Sequence, residues 1–551
     1  MNSQPSPLLV GPSGSSSDQY DGPQEPPSHR RTETNADRHD HAGLKQLISQ
    51  QLALMTDQLA VLGNQSPPEP ANQVTQLERP PILQTSADII DYGLTARQRV
   101  YLTEFAQGYN ETHKRSKECA NKYRSVLADN RRSAGFRPSI KEMLYPIVGA
   151  SAAGSHITDI DGNDYIDLTM GFGVLLAGHA PPFLENGIST CHRSGLILGP
   201  ISVLAGEVAQ LISEMTGMER VTFCNTGTEA VMTAIRLARA ATGRSRIALF
   251  SGSYHGHFDG VLAMAQGTGT VPATAGTLDK FVEEILILDY GSDTALSILR
   301  EQAKSLAAIL VEPVQSRAPA LQPRDFLHAL REITHQSGTA LIFDEMLTGF
   351  RVTPAGAQAW FDVKADLATY GKILGGGTPI GIVAGDRRFL NMIDGGNWGY
   401  GDNSYPETEK IFFAGTFNKN GTSIAAAHSI LTHLKQQGPD LQKKLNGNTE
   451  MLACQLNAFC TEEGFPLNVE YFSSFFRFSF QGNADIFFFK LIQNGIYIWE
   501  GRTCFLSTAH TAKDIESIIN IVKNSLREMR DGGFFPLPSS SKKQPFNLTE
   551  A

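Results

Sequence analysis

The sequence lacks an apolar run long enough to cross a bilayer, and no apolar signal segment opens it. It also lacks a basic surplus, since Lys and Arg number 47 against 56 Asp and Glu, a formal charge of −9. A nucleic-acid-binding surface needs basic side chains to neutralise phosphates, so this balance argues against one. The six cysteines show no Cys-x-x-Cys spacing, so neither a disulfide framework nor a zinc site is predicted. We therefore expect a reduced, cytoplasmic protein without a nucleic-acid partner, membrane segment or metal.

The first part of the chain is poor in large apolar side chains. Residues 1 to about 40 are rich in Ser, Pro, Gln, Asp and Gly and cannot bury enough surface to offset the entropy of ordering. From about 41 to 63, leucines recur at three- and four-residue steps, the period of one helix face. This helix could pack on its own domain or dock elsewhere, and the sequence leaves both open. We interpret residues 1–93 as a disordered linker carrying this amphipathic helix.

Short apolar runs alternate with helical patterns in the middle of the chain. Strands are predicted at 221–224, 247–250, 285–288, 306–311 and 340–343, with helices at 231–241 and 323–336. Such alternation predicts an α/β protein with a mostly parallel sheet, covered on both faces, whose ligands bind at the carboxyl ends of the strands. Before it, 94–130 is predicted to be helical, and two alternating runs around Asp161-Gly162 predict a hairpin.

One strand end and one lysine carry the strongest chemical signal. The run 341–343 ends in Asp344-Glu345, and Lys372 precedes three glycines. A carboxylate beside a ring nitrogen and an amine that holds an aldehyde are what pyridoxal phosphate (PLP) requires, because its ring must stay protonated to accept electrons. Asp344 and Lys372 are the candidates. An apolar strand ending in Asp-Glu can also hold magnesium in a nucleotide hydrolase, but the Gly-x-x-x-x-Gly-Lys-Ser/Thr loop of that class is missing.

Other turns could complete a PLP site. Gly227 and Thr228 open an Ala-rich helix, where free backbone amides and the helix dipole favour a phosphate. After two other predicted strands come Tyr254, which could stack on a planar ring, and Gln315, whose amide could reach the ring's phenolic oxygen. Together these residues predict one cofactor site built from several strand ends.

These motifs resemble class III (subgroup II) PLP-dependent aminotransferases, the group of glutamate-1-semialdehyde aminomutase and ornithine aminotransferase. The resemblance covers roughly 139–529 and is carried by the motifs at 225–230, 254–256, 312–315, 344–351 and 371–372. It implies the fold type I architecture: a large PLP-binding domain at 196–429 and a smaller α+β domain formed by 94–195 and 430–535. It adds Asn225 and His255 to the expected cofactor contacts. It also implies a homodimer, in which Thr416 reaches the phosphate bound by the other subunit.

A narrower resemblance concerns the segments outside this region. The motifs at 117–118, 123–124, 126–131 and 133–136 resemble the entry to aminotransferase domains of hybrid polyketide/nonribosomal-peptide synthases of the mycosubtilin and microcystin type. Residues 536–551 look like a linker followed by the opening of a condensation domain, which implies an excised module. The implied reaction moves an amino group from glutamate or glutamine to a 3-oxoacyl chain on a carrier protein's phosphopantetheine arm. Phe172, Glu500 and Arg502 are expected at the substrate entrance.

Two alternatives stay open at this point. One is a free-standing aminotransferase or aminomutase that acts on a small soluble substrate. The other is a non-catalytic module kept as a scaffold, which the joint presence of Asp344, Lys372 and the phosphate turn argues against.

Overall fold

The computed structural model describes residues 93–133, 135–196, 198–267, 269–481 and 486–536. By its contacts the chain divides into two units, 1–76 and 77–551, and all of the described residues belong to the second. The predicted linker and the helix at about 41–63 lie outside the described residues, as does 537–551 of the predicted C-terminal linker.

The strands, in chain order, are β1 Gly149–Ala153, β2 His156–Asp159, β3 Asp164–Asp167, β4 Arg220–Cys224, β5 Arg246–Phe250, β6 Ala263–Gln266, β7 Gly269–Pro272, β8 Ile285–Leu288, β9 Leu306–Val311, β10 Ala340–Asp344, β11 Leu367–Tyr370, β12 Gly381–Gly385, β13 Leu467–Phe472, β14 Phe475–Phe480, β15 Ile496–Tyr497 and β16 Cys504–Phe505. The helices are α1 Ala96–Thr112, α2 Lys114–Lys122, α3 Pro182–Arg193, α4 Val203–Thr216, α5 Gly227–Thr242, α6 Asp279–Val282, α7 Asp293–Gln302, α8 Arg324–Ser337, α9 Gly356–Phe361, α10 Arg387–Asp394, α11 Gly421–Gln437, α12 Asp440–Glu463, α13 Phe487–Gln493 and α14 Ala512–Asp531.

The central sheet has the strand order β4-β12-β11-β10-β9-β5-β8. Neighbours from β11 to β8 pair in parallel, whereas β12 runs antiparallel to both β4 and β11. The prediction of a mostly parallel sheet is thus confirmed, although strands β11 and β12 were missed. The terminal glycines of β12 disfavour a strand prediction. They are required because a Cβ would lie 2.0 Å from the carbonyl oxygen of Thr226 at Gly381 and 2.5 Å from that of Asp366 at Gly385.

Both faces of this sheet are buried, as the apolar runs predicted. In β9, Ile309 and Val311 belong to one hydrophobic cluster, while Ala308 and Leu310 belong to the other. Successive side chains of a strand point to opposite faces, so this alternation places a packed layer on each side of the sheet. The Ala-rich helix α5 lies in the second cluster, where its small side chains allow close approach to the strands.

Smaller sheets are built from the segments that flank the central sheet. The predicted hairpin is present as β2 and β3, which pair antiparallel on either side of Asp161-Gly162. Strand β15, from the C-terminal part of the chain, pairs in parallel with β3. Strands β13, β14 and β16 form a further antiparallel sheet, and β6 pairs with β7. The N- and C-terminal flanks therefore share a sheet, while the expected domain boundaries stay predictions.

The helical stretch predicted at 94–130 is shorter and broken. It forms α1 and α2, which are separated at His113, and it ends at Lys122. The His113 ring is buried and its Nδ1 lies 2.8 Å from the carbonyl oxygen of Tyr109. This contact favours a cap at His113, where the backbone leaves the helical conformation. No helix among the described residues is both long and apolar enough to span a membrane.

Candidate active site

Adjacent parallel strands bring the predicted residues to one edge of the central sheet. Asp344 is the last residue of β10, Glu312 follows β9, and Gly371-Lys372 follows β11. Because these strands are parallel neighbours, their carboxyl ends lie side by side. The carboxylate and the lysine, 28 positions apart in sequence, are therefore neighbours in the fold.

The Asp344 carboxylate is buried and held from several directions. Its Oδ2 lies 2.8 Å from His255 Nδ1, and its Oδ1 accepts hydrogen bonds from Thr369 Oγ1 at 3.0 Å and from the Met346 amide at 3.1 Å. Each carboxylate oxygen can accept more than one hydrogen bond, so the group retains capacity for a ligand donor. The His255 Nε2 atom is buried and has no hydrogen-bond partner among the described residues. The carboxylate is thus fixed in orientation before any ligand binds.

Lys372 lies in a strained and crowded backbone segment. Its φ of +38° is a left-handed conformation that a residue with a Cβ seldom adopts. At the preceding Gly371, a Cβ would lie 2.8 Å from both the carbonyl oxygen of Ile380 and Met346 Sδ. Burial lowers the pKa of the Lys372 ammonium, and the charges of Asp344 and Glu312 oppose that shift in part. A lowered pKa makes more of the amine neutral at a given pH, as a nucleophilic lysine needs.

The turn before α5 is organised by its own side chains. Thr226 caps the helix by accepting a hydrogen bond from the Glu229 amide at 3.2 Å. The Glu229 carboxylate reaches back to the Asn225 amide at 2.8 Å, and Asn225 Nδ2 donates to Asn418 Oδ1 at 3.1 Å. The amides of Gly227 and Thr228, in the first turn of the helix, are therefore available to an anion.

Tyr254 and Gln315 are placed by contacts around Glu312 and Ser251. The Tyr254 amide donates to Glu312 Oε2 at 2.9 Å, and the tyrosine side chain is 48% exposed. The buried Gln315 uses Nε2 to bond the carbonyl oxygen of Ser251 at 2.9 Å. The second N–H of that amide remains for a further acceptor. Glu312, which sequence reasoning did not select, is buried, and burial raises the pKa of its carboxyl group.

The residues present fit pyridoxal phosphate. Gly227, Gly371 and Met346 lie close together, and we call the narrow space between them the cradle. A Cβ would lie 2.9 Å from Met346 Sδ at Gly227 and 2.8 Å from it at Gly371. A carboxylate, a lysine of lowered pKa and a helix N-terminus surround this cradle, matching a ring nitrogen, an aldehyde and a phosphate. No group of three or more His, Cys, Asp and Glu side chains in the described part of the chain is arranged to hold a metal ion.

The predicted entrance residues lie together, but not all are free to bind a substrate. The Phe172 ring, 46% exposed, packs edge-on against Trp499 at 5.1 Å between centroids. Arg131 lies over the same Trp499 ring at 5.6 Å. The Glu500 carboxylate forms an ion pair with Arg137 at 2.5 Å. Glu500 therefore holds the 137 segment at the entrance, a role that the sequence pattern did not suggest.

A run of left-handed residues supports Phe172. Met170, Gly171, Phe172 and Gly173 all have positive φ, from 42° to 87°. The fully buried Arg351 holds this run, since its guanidinium donates to the Gly173 carbonyl oxygen and, at 2.9 Å, to Ser474 Oγ. Burial lowers the pKa of Arg351 to about 9. The left-handed backbone at Met170 and Phe172 is thus supported by residues distant in the sequence.

Thr416 stands apart from the other candidates. Its side chain is exposed, and it lies two residues before Asn418, which contacts Asn225 in the same chain. The loop is thus near the phosphate turn, while the Thr416 side chain faces outward.

The fold and the residues at its strand ends define a fold type I PLP-dependent transferase. Residues 139–523 match the family model described as Aminotransferase class-III, and the chain belongs to this family of PLP-dependent aminotransferases. It is 34% identical, over 69% of its length and 91% of the relative's, to a glutamate-1-semialdehyde 2,1-aminomutase of Alkaliphilus oremlandii (strain OhILAs).

Solved structures agree with this assignment. A transaminase with PLP bound superposes with a TM-score of 0.68 at 26% identity, covering 76% of this chain and 99% of that one. A β-phenylalanine aminotransferase from Variovorax paradoxus gives the same TM-score at 26% identity, covering 80% and 99% of the two chains. The family and fold expected from the motifs are therefore confirmed, and so is the cofactor, pyridoxal phosphate.

Proposed function

We propose that this enzyme transfers an amino group from glutamate or glutamine to a 3-oxoacyl chain, which a carrier protein presents as a phosphopantetheine thioester. The observation that carries the proposal is the set of contacts at the entrance to the candidate active site. Arg131 and Arg137, which contact Trp499 and Glu500 there, belong to a segment that precedes the family-matched residues 139–523. That segment carries the motifs similar to aminotransferases of polyketide/nonribosomal-peptide synthases. The product would be a 3-aminoacyl chain.

The structural likeness to a β-phenylalanine aminotransferase supports an amino group at carbon 3. A β-amino acid carries its nitrogen at carbon 3. The Variovorax enzyme, named as a β-phenylalanine aminotransferase, therefore shows that a protein of this fold can act on an amino group at that carbon. A second candidate is an aminomutase or aminotransferase for a small soluble substrate, and the 34% identity to a glutamate-1-semialdehyde 2,1-aminomutase favours it.

The residues of the site receive distinct tasks in this proposal. Bound PLP supplies an electron sink for the negative charge that forms at the donor's α-carbon. Lys372 Nζ would hold the aldehyde of the cofactor in the resting enzyme and, as a free amine, would accept the proton from that carbon. Asp344, oriented by His255 and Thr369, would keep the ring nitrogen protonated.

The remaining contacts position the cofactor. The amides of Gly227 and Thr228, with the side chain of Asn225 beside them, would bind the phosphate. Tyr254 would stack on the ring, and Gln315 would donate its free N–H to the ring oxygen. Phe172 lines the acyl entrance.

The proposal is tested by intact-protein mass spectrometry of a 3-oxoacyl carrier protein after incubation with this enzyme, PLP and glutamate or glutamine. The matching free 3-oxo acid is tested in parallel. Amination of the carrier-bound chain and not of the free acid supports the proposal. Amination of the free acid alone would establish the soluble-substrate alternative, and a protein that aminates neither would refute the proposed acceptor.

We expect the packing of Met346 against Gly227 in the cradle to determine how tightly the enzyme binds PLP. Gly227→Ala places a methyl group 2.9 Å from Met346 Sδ and pushes the thioether toward the cofactor. Since overpacking costs about 1–3 kcal/mol, PLP affinity should fall roughly tenfold or more. The double variant Gly227→Ala/Met346→Val should recover most of it, while Met346→Val alone binds almost normally. Fluorescence titration of the apoenzyme with PLP measures this, and a Gly227→Ala protein of normal affinity would contradict the cradle.

The homodimer is part of the proposal because of Thr416. Large apolar side chains of the same segment are exposed in one chain: Tyr400 at 94%, Phe412 at 82% and Phe417 at 56%. Large apolar patches on a protein surface often mark a site that another protein covers. A second copy that covers this segment would carry Thr416 to its partner's phosphate.

Mixed dimers test that arrangement. Thr416→Glu puts a carboxylate against the phosphate and should abolish activity, as should Lys372→Ala. In a mixed dimer of these two variants, one site carries both defects and the other carries neither. When the two chains are co-expressed with different tags and the mixed dimer is purified, about half of its sites should therefore be active. If Thr416 instead served its own subunit, every site would be defective and the purified mixed dimer would remain inactive.

A further inference from the structure

An exposed turn that follows α2 carries basic and apolar side chains together. It consists of residues 122–127, and we call it the 122–127 turn. All six residues are exposed, and the large apolar ones are Tyr123 at 44%, Val126 at 80% and Leu127 at 53%. The amides of Val126 and Leu127 both donate to the carbonyl oxygen of Tyr123, at 3.1 and 2.9 Å. Residues three and four apart in such a turn lie on one side, so these side chains form a single exposed apolar face.

The segment around this turn is basic in a chain that is acidic overall. Residues 114–131 contain six Lys and Arg against two Asp and Glu, whereas the whole chain has 47 against 56. Lys122 and Arg124, both in the turn, form no ion pair within 4.0 Å among the described residues. Two uncompensated positive charges therefore flank the apolar face. Such a surface is complementary to a partner that is acidic and offers an apolar contact.

Contacts of α1 and α2 fix the turn to the body of the protein. The Ser116 amide and Oγ, on α2, both donate to Asp161 Oδ2 at 2.9 Å, which fastens this helix to the hairpin of β2 and β3. On α1, the Tyr101 hydroxyl accepts a hydrogen bond from the buried Lys490 at 2.9 Å. This ordered extension precedes the family-matched residues 139–523, so it adds a surface to the part that the family shares.

Trp499 connects the turn with the predicted entrance residues. The guanidinium group of Arg131, four residues after Leu127, lies over the Trp499 ring, against which Phe172 also packs. The Arg502 amide donates to the carbonyl oxygen of Trp499 at 3.1 Å, so Arg502 belongs to the same corner. Four residues of chain span at most about 14 Å, a distance that an extended phosphopantetheine arm can cover. A protein bound at the turn would therefore hold the base of such an arm near the entrance.

We propose that the 122–127 turn is the surface on which the carrier protein docks, through an acidic patch that surrounds an apolar contact. The identity of this partner rests on the proposed function. Lys122 and Arg124 attract the acidic patch and raise the rate of encounter. Tyr123, Val126 and Leu127 then lose their contact with water in the complex and slow its dissociation.

Two other occupants fit the turn less well. An isologous contact with a second copy of this chain would set Lys122 and Arg124 against the same two side chains, and like charges repel. A nucleic acid would match the two basic side chains but would place its charged backbone against the apolar face.

Two double variants separate the charge from the apolar contact. Lys122→Glu/Arg124→Glu reverses the charge of the turn, and Val126→Ser/Leu127→Ser removes two of its apolar side chains. All four positions are exposed, so both proteins should fold normally. The charge-reversed variant should meet an acidic partner with repulsion, and the serine variant should lose the apolar contact alone.

The control is Lys443→Glu/Lys444→Glu, which makes the same change of charge at two exposed residues of α12, a helix that contributes no residue to the described site. Amination of the 3-oxoacyl carrier protein and of the matching 3-oxoacyl pantetheine thioester is followed at saturating donor. For the carrier protein, kcat/KM should fall roughly 10- to 100-fold in the charge-reversed variant and about tenfold in the serine variant, through KM. All four enzymes should use the pantetheine thioester equally well, and the control should match wild type with both acceptors.

Ionic strength gives a second readout. Added salt should lower the wild-type kcat/KM for the carrier protein, because screening weakens the attraction between the two surfaces. The charge-reversed variant should lose this decrease, whereas the serine variant should keep it.

Unchanged carrier-protein kinetics in both test variants would overturn the proposal. So would an equal loss with the pantetheine thioester, since the turn would then act on the site itself, or an equal loss in the control, which would reflect overall charge. A changed oligomeric state of the variants in sedimentation, with unchanged carrier-protein kinetics, would assign the turn to a second copy and refute the docking surface.

Failure of the docking surface and failure of the proposed acceptor give different results. A wild-type enzyme with equal kcat/KM for the carrier protein and the pantetheine thioester has the proposed acceptor but no docking surface. A wild-type enzyme that aminates neither thioester lacks the proposed acceptor. Fluorescence anisotropy of the labelled, phosphopantetheinylated carrier protein then decides: binding that both test variants weaken supports the docking surface, and no binding refutes it.

Discussion

Replacing Lys372 with alanine is expected to leave a protein that still binds pyridoxal phosphate but turns over about 10⁴-fold more slowly. The other contacts proposed for the cofactor, at Asp344, the phosphate turn and Tyr254, do not involve this lysine. What the variant loses is the amine whose pKa burial has lowered, and with it the group that moves the proton at the donor's α-carbon. Cofactor content after desalting and the rate of the donor half-reaction measure the two effects separately.

The matched control for this variant is Lys364→Ala. The Lys364 side chain is 63% exposed, and its Nζ lies 3.9 Å from Asp386 Oδ1, its ion-pair partner among the described residues. Such an exposed ion pair contributes little, so the substitution should not change turnover. Methylamine added to Lys372→Ala should restore part of the half-reaction, because a free amine can take over the proton transfer. Full turnover by Lys372→Ala without added amine would overturn the assignment.

The parts of the site that could be predicted are those contained in a few consecutive residues. Asp344 ends an apolar strand, and Gly227 and Thr228 open a helix, so each signal comes from the local pattern. The same holds for Lys372, although the need for glycine at 371 depends on Ile380 and Met346.

Residues whose role depends on distant contacts could not be predicted in this way. Arg477 reaches the carbonyl oxygen of Arg317, 160 positions away, and Arg351 holds Gly173, 178 positions away. An isolated arginine in a sequence is most often a surface charge, and its burial appears after the strands have been assembled. The antiparallel β12 was missed for the same reason, since its glycines are explained by backbone that packs on them, that of Thr226 at Gly381 and that of Asp366 at Gly385.

Asp344→Asn is expected to slow the donor half-reaction about 10²- to 10³-fold while cofactor binding is kept. The amide is close in size to the carboxylate, and it can still accept hydrogen bonds from Thr369 Oγ1 and the Met346 amide through its oxygen. It carries no negative charge, so the ring nitrogen would no longer be held in its protonated state. Stopped-flow absorbance with glutamate measures the rate, and an unchanged rate would remove Asp344 from the mechanism.

The next residue in the chain provides the control, because Glu345 is an equally buried carboxylate with a different role. It accepts hydrogen bonds from Thr348 Oγ1 at 2.6 Å and from the amides of Ala357 and Gln358 at 2.9 and 3.0 Å, and thus ties the loop after β10 to α9. Glu345→Gln presents an N–H₂ group to these donors and should reduce the free energy of unfolding by about 1–3 kcal/mol. The half-reaction rate per folded, PLP-loaded molecule should stay near wild type. Opposite outcomes for two adjacent buried carboxylates would separate the charge that serves the chemistry from the charge that serves the fold.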